Sequence, residues 1–244
     1  MQKICIVVPC YNESKRLPIK EFNDFINNSE DIYFCFVNDG SKDNTIEILS
    51  AIKKAVGEKA KILDLKKNQG KAEAVRKGIL ESLNWMNFEA IGYFDADLST
   101  PLSEILTLYD NLNKKTNYKI AFCSRIKIAS NHIERSSFRH YSGRVFSTFV
   151  SIFLGMSIYD TQCGAKLIRT DIINEIFKSP FYSKWFFDIE IFYRIKKSFG
   201  GEEAIKNIIE VPINQWIEKG KSKISLLDWL KVPFILLKLY FKYM

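Results

Sequence analysis

Ile32-Tyr33-Phe34-Cys35-Phe36-Val37-Asn38-Asp39-Gly40-Ser41-Lys42-Asp43 passes from an unbroken apolar run into a polar turn. A helical pattern follows at once, because Thr45–Val56 repeats Ile46, Leu49, Ile52 and Val56 at the spacing of one helix face. The stretch therefore reads as a buried strand, a turn and a helix. The same unit recurs on either side. Ile4–Val8, ended by Pro9, is a strand before it, with a helix over Leu17–Ile26 between them. Lys61–Leu65, Ala90–Phe94 and Lys119–Cys123 are strands after it. Lys71–Leu83 is a helix with Ala72, Val75, Ile79 and Leu83 on one side, and Thr100-Pro101 reads as the N-cap and first residue of a helix reaching Leu112. Such alternation predicts an α/β fold with a Rossmann-like, mostly parallel central sheet flanked by helices. Ligands of such sheets bind at the carboxyl ends of the strands.

The second half has a different texture. Phe138–Leu154 is helical, with Phe138, Tyr141, Val145, Phe149 and Ile152 on one face, which suits either core packing or a membrane contact. Lys184–Lys197 is a further helix, and Ile208–Trp216 is a strand leading into the basic loop Lys219-Gly220-Lys221-Ser222-Lys223. No internal repeat, low-complexity tract or Gly/Pro/Ser linker divides the chain. Residues 1–224 read as one catalytic domain and 225–244 as an amphipathic C-terminal helix, either part of the same unit or membrane-associating.

Of the 244 residues 47% are hydrophobic, enough for a full core, and the net charge is +8. The basic balance points to an anionic partner: nucleic acid, a phosphorylated substrate or an anionic membrane. The five cysteines are odd in number and lack C-x-x-C spacing, and Cys5, Cys35 and Cys123 lie in apolar runs. A reduced, cytoplasmic protein is expected. Only His132 and His140 are available, which argues against a histidine-rich zinc site. Ile4–Val8 is too short for a signal-peptide core, and no window reaches the apolar length of a spanning helix.

The chemistry-bearing residues follow the strands. Pro9-Cys10-Tyr11-Asn12-Glu13 comes after the first, Asn38-Asp39-Gly40-Ser41-Lys42-Asp43 after the second, and Asp95-Ala96-Asp97 after the fourth. Acidic groups at three strand ends would converge on one crevice, where a divalent cation would relieve their repulsion. The two carboxylates of Asp95 and Asp97 are hard oxygen ligands suited to Mg²⁺ or Mn²⁺, which also takes oxygens from a diphosphate. The glycine patterns of dinucleotide-binding and P-loop proteins are absent, so metal and isolated basic side chains would hold phosphates here. Taken singly, each cluster also has a plain structural reading. Asp39-Gly40-Ser41 would be a helix-capping turn, Asp160-Thr161 a turn cap, Asp188 and Glu190 a solvated helix face, and Arg125 and Arg139 surface charge.

In order and at compatible spacing, Val8-Pro9-Cys10-Tyr11-Asn12-Glu13, Val37-Asn38-Asp39-Gly40-Ser41, Asn68-Gln69-Gly70-Lys71 and Asp95-Ala96-Asp97 resemble family 2 glycosyltransferases with the GT-A fold. Asp160-Thr161-Gln162-Cys163-Gly164-Ala165-Lys166-Leu167 and Trp185-Phe186-Phe187-Asp188-Ile189-Glu190 resemble the dolichyl-phosphate glucosyltransferase and mannosyltransferase branch, and Val211-Pro212-Ile213-Asn214-Gln215-Trp216 followed by Gly220-Lys221-Ser222-Lys223 is similar to the glucosyl type. The resemblance, over roughly residues 3–224, implies roles. Pro9, Tyr11 and Glu13 would line a nucleoside pocket, with Asp39 bonding the base. Lys71 and Ala96 would belong to the donor nucleotide site, and Asp95 and Asp97 would hold the metal and the diphosphate. Lys223 would close over the donor phosphates. Arg125 and Arg139 match arginines that grip an acceptor phosphate. Asp97, Asp160 and Asp188 are the catalytic candidates, with Asp160 and Asp188 as alternatives for a base or an orienting group.

The implied reaction is inverting transfer of a sugar, glucose from UDP-glucose for preference, to a polyprenyl phosphate. A lipid phosphate, with a second pKa of ~6, arrives ionised and has little need of a strong base. The alternatives are GDP-mannose as donor, or a saccharide hydroxyl as acceptor. A non-catalytic basic module for nucleic acid or membrane explains the charge but not the acidic strand ends, which would repel phosphate. No nucleic-acid partner is therefore expected. In the C-terminal segment Asp228, Lys231, Lys238 and Lys242 fall within an arc of roughly 80° at helical spacing, and the rest of the circumference is apolar. An in-plane interfacial helix, kinked or broken at Pro233, fits that pattern, as does a helix packed on the domain or another subunit.

Overall fold

Ile4 to Val8 are completely buried, as a strand covered on both faces requires. The computed structural model describes residues 2–127, 131–134, 137–217 and 226–243, and for 132, 134, 137–142 and 226–231 the backbone only. In chain order the elements are β1 (Ile4–Cys10), α1 (Ile19–Asn27), β2 (Ile32–Asp39), α2 (Thr45–Val56), β3 (Ala60–Leu65), α3 (Lys71–Leu83), β4 (Ala90–Phe94), α4 (Glu104–Leu112) and β5 (Ile120–Ser124). There follow β6 (His132–Glu134), α5 (Ser137–Leu154), β7 (Ala165–Arg169), α6 (Ile173–Phe177), α7 (Phe187–Phe199), α8 (Gly201–Lys206), β8 (Ile208–Pro212), β9 (Gln215–Ile217) and α9 (Leu226–Tyr243). These elements form two compact units, Met1–Leu98 with Gly164–Lys184, and Ser99–Cys163 with Trp185–Met244.

In the first unit the strands run β3-β2-β1-β4-β7. The first four are mutually parallel and β7 is antiparallel to β4. Strand alternation puts Phe34 and Phe36 on one face, where Phe22 of α1 meets both rings edge-on at 5.9 and 5.3 Å. Val7 and Val37 lie on the other face against α3. There Gly78 allows the close approach, since a Cβ on it would fall 2.4 Å from Val7 and 2.7 Å from Val37. Helices thus cover both faces, as the alternating pattern predicts. Strand β1 runs through Pro9 to Cys10 rather than ending at the proline.

The second unit holds the parallel pair β5–β8 and the short parallel pair β6–β9. Helix α4 packs on β5 and β8, and Phe192 of α7 meets Phe122 of β5 at 5.1 Å. Helix α4 starts at Glu104, later than the Thr100-Pro101 signal, because residues 101–106 first make tight turns with Glu104 N–H bonded to Pro101 O and Ile105 N–H to Leu102 O. Helices α5, α7 and α9 pack together, and α9 continues as one helix through Pro233. On α5 the buried residues are Phe146, Val150 and Leu154, whereas Val145, Phe149 and Ile152 of the apolar stripe are exposed.

Candidate active site

The ends of β1, β2 and β4 bring the three polar clusters of the first unit to one sheet edge, and the clusters are laced together locally. Asn12, at φ 53°, donates its backbone N–H to Ser41 Oγ and accepts the Lys42 N–H on its side chain. Glu13, buried, donates its N–H to Thr45 Oγ1 and accepts from Arg16. Asp43 accepts from Ser14 Oγ at 2.6 Å and Thr45 Oγ1 at 2.5 Å. Slight desolvation, which would raise the Asp43 pKa, is outweighed by these bonds, and it is held down at about 2. Pro9 and Tyr11 are part-exposed beside this lacework.

Asp39 is 3% exposed and clamps the next loop: its two carboxylate oxygens accept the N–H groups of Gln69 at 2.8 Å and Gly70 at 2.9 Å. Burial pushes its pKa up, against those two bonds and the nearby Lys184 and Lys77 ammonium groups. Gly40 has to be glycine here, at φ +62° with a Cβ position only 2.5 Å from Asn68 N. The clamp fixes Gly70 just ahead of α3 and so sets Lys71 at the start of the helix. Lys71 Nζ reaches Asp95 Oδ1 at 2.5 Å.

Asp95 and Asp97 are both partly exposed, and Ala96 between them is buried. Asp95 donates its N–H to Gly164 O, just before β7, and a Cβ on Gly164 would fall 2.1 Å from Asp95 Oδ2. Residue 164 is therefore bare so that the carboxylate can occupy its place beside Lys71. Glu13, Asp39 and Asp43 are each committed to local donors, so the case for a cation rests on Asp95 and Asp97 rather than on a crowd of acids. The pair suits a hard divalent ion by donor chemistry and exposure. Among the described residues no three His, Cys, Asp or Glu side chains gather to cage a metal.

In the second unit Arg125, just beyond β5, makes a two-pronged pair with Asp160. Nε lies 2.6 Å from Oδ2 and Nη2 lies 2.8 Å from Oδ1. The same carboxylate accepts the backbone N–H groups of Arg125 and Gln162. The guanidinium lies over the Trp216 ring, 5.4 Å from its centroid. Asp188, in the first turn of α7, is 3% exposed, and Glu190 is fully buried, so neither belongs to a solvated face. Glu190 Oε1 accepts from Arg194 at 2.8 Å, from Tyr243 Oη at 2.6 Å and from Lys242 at 3.3 Å, which ties the last turn of α9 to α7. Arg139 lies in the first turn of α5, where the backbone alone is described, and Lys223 lies outside the described residues. Sequence reasoning quoted Gly164 in a motif without giving it a role, and did not single out Glu210 or Tyr243. Gly164 precedes β7, a strand the sequence pattern does not reveal, and nothing local marks the other two.

The model of Glycosyl transferase family 2 matches residues 5–177. This chain belongs to that family. Several family 2 relatives span nearly all of it. A dolichyl-phosphate beta-glucosyltransferase of Dictyostelium discoideum is 31% identical over 235 residues, covering 91% of this chain and 68% of the relative. The Homo sapiens dolichyl-phosphate beta-glucosyltransferase is 30% identical over 262 residues, covering 100% and 76%. Among solved structures, glucosyl-3-phosphoglycerate synthase from Mycobacterium tuberculosis in complex with Mn²⁺ and UDP-glucose matches at a TM-score of 0.72 and 14% identity, covering 98% of this chain and 79% of that one. The fold is therefore GT-A, and this family 2 enzyme is a glycosyltransferase near the dolichyl-phosphate glucosyltransferase branch.

Proposed function

We propose that the enzyme moves glucose from UDP-glucose to a polyprenyl phosphate of the dolichyl or undecaprenyl type, with inversion at the anomeric carbon. The observation that carries the reading is the Asp95 site, an acid at a strand end held by Lys71 and given room by Gly164. Relatives named for dolichyl phosphate and glucose, aligned along the whole chain, support the choice of substrates. Pro9, Tyr11 and Glu13 would line the nucleoside pocket. Asp39, besides its loop clamp, is the candidate for the base contact. Mg²⁺ or Mn²⁺ on Asp95 and Asp97 would supply Lewis-acid stabilisation of the departing diphosphate. Lys71, with Lys223, would turn its ammonium to the donor phosphates. Arg125 and Arg139 would grip the acceptor anion by charge-assisted bonds and hold it in line for attack. In this scheme Asp160, its carboxylate already bonded to Arg125, orients the arginine rather than taking a proton, and Asp188 stays as the other candidate for an orienting or basic group.

A lipid acceptor also needs a way to the membrane. No described helix is long and apolar enough to cross one. Helix α9 buries Val232, Leu236 and Leu239 but exposes Phe234 and Phe241, while α5, packed on it, exposes Val145, Phe149 and Ile152. In our reading this surface lies on the cytoplasmic face of a bilayer, with the lysines of α9 near anionic headgroups. The test of function is transfer from UDP-glucose to a polyprenyl phosphate in detergent with Mn²⁺ or Mg²⁺, followed by mass and anomeric configuration of the product. A β-linked glucosyl phosphate is expected. Transfer from GDP-mannose instead, or to a saccharide hydroxyl instead, would overturn the choice of substrates.

A further inference from the structure

Behind the Arg125–Asp160 pair stands a second carboxylate. Glu210 Oε1 accepts the backbone N–H of Asp160 at 2.8 Å, and Oε2 accepts that of Tyr159 at 2.9 Å. Glu210 sits on β8, in register with Phe122 of β5, and Arg125 leaves the end of that same β5. One strand pair thus carries both the guanidinium and the acid that fixes its partner. Setting Glu210 next to Asp160 has an electrostatic cost: burial, with the Asp160 charge adding to it, raises the Glu210 pKa against the two N–H bonds and the neighbouring Ser124 hydroxyl. A tie for the 159–160 backbone alone could be made by a neutral acceptor. A carboxylate with both oxygens engaged instead fixes two consecutive N–H groups, and so fixes the direction in which the Asp160 side chain leaves the backbone. Asp160 in turn holds Nε and Nη2 of Arg125 in one plane over Trp216.

We propose that Glu210 is a positioning residue for anion binding at Arg125, acting through Asp160 on the orientation of the guanidinium. The inference rests on the reading of Arg125 as a grip on the acceptor phosphate. Its effect is on how well an anion is bound, because a guanidinium free to turn loses the pre-set geometry of its remaining donors.

The test is a double-mutant cycle with farnesyl phosphate as acceptor and UDP-glucose as donor. Glu210→Gln offers one acceptor oxygen where two are needed, so one N–H faces an amide NH₂. Glu210→Gln should raise the acceptor KM about tenfold, with kcat and the calorimetric Kd for UDP-glucose nearly unchanged. Arg125→Ala should raise the acceptor KM by more, and Glu210→Gln added to it should do nothing further, since a positioning residue has no effect once its target is gone. Equal effects of Glu210→Gln in both backgrounds, or a changed donor Kd, would overturn the assignment of Glu210 alone. An unchanged acceptor KM in Arg125→Ala would overturn the reading of Arg125 and the assignment with it. Should Glu210→Gln fail to fold, Glu210→Asp is read in the same cycle, and loss of the fold in both variants makes Glu210 a structural strut and ends the proposal.

Discussion

Replacing Gly164 by alanine should disable the Asp95 site while leaving the protein folded. The new Cβ would lie 2.1 Å from Asp95 Oδ2, 2.4 Å from Cγ and 2.7 Å from Oδ1, so the carboxylate has to swing away from Lys71. The backbone at 164 is outside the left-handed region, and the cost is contact alone. Overpacking of this kind costs about 1–3 kcal/mol. The Lys71–Asp95 pair, with 40% of the aspartate side chain exposed, adds at most about 1 kcal/mol to that. For a chain of this size the overpacking alone lowers Tm by about 2–12 °C. Transfer should fall far more than stability, by about a hundredfold, because a displaced carboxylate no longer presents its oxygens where donor and cation need them. Gly57→Ala is the matched control. Its φ of +63° makes a side chain strained by about 1–2 kcal/mol, yet nothing lies within 4 Å of the new Cβ. Thermal melts, initial transfer rates and calorimetric UDP-glucose binding with Mn²⁺ would be compared across the three proteins. A wild-type rate in Gly164→Ala would refute the reasoning, as would an equal loss of rate in Gly57→Ala.

Other perturbations read other links. Asp43, at about 2 against an ordinary carboxylate value of 3.8, contributes stability that is full above pH 4 and lost as pH falls through 2. Asp43→Asn should therefore melt below wild type at pH 7, with the gap closing between pH 4 and 2; a gap that persists unchanged at pH 2 would count against the Ser14 and Thr45 bonds as its source. Tyr243→Phe removes the 2.6 Å hydroxyl bond to buried Glu190 and should cost about 1–3 kcal/mol in chemical denaturation. No measurable loss would mean that the end of α9 is not anchored through that bond. Phe234→Ser with Phe241→Ser, both at exposed positions, should leave Tm within a few degrees and sharply reduce co-sedimentation with anionic vesicles. Undiminished sedimentation would remove α9 from the membrane-facing surface.

Much of the fold was legible in the sequence because β1, β4 and most of β2 are unbroken apolar runs. Helices α2 and α3 follow their apolar periodicity to the residue, and β4 likewise. Strand β7 escaped, since Ala165–Arg169 is short and carries the fully buried Lys166, which masks the apolar signal. The apolar stripe of α5 suited core packing and membrane contact equally, and its residues Val145, Phe149 and Ile152 are exposed. Periodicity finds a helix face but cannot say whether a neighbour covers it, and on α5 Phe146, Val150 and Leu154 are the covered residues.

What the sequence by itself determined was the alternating architecture, the family, and the residue types gathered after the strands, because strand and helix patterns and short motifs are local in the chain. The state of each charged group was decided only by the tertiary structure. Asp39 is spent on the Gln69 and Gly70 amides 30 and 31 residues away, Lys71 is turned onto Asp95, and Asp160 is locked to Arg125 from 35 residues off. A carboxylate's function depends on which donors reach it and how much water remains. Those donors arrive from strands and loops that meet only when the sheet is assembled.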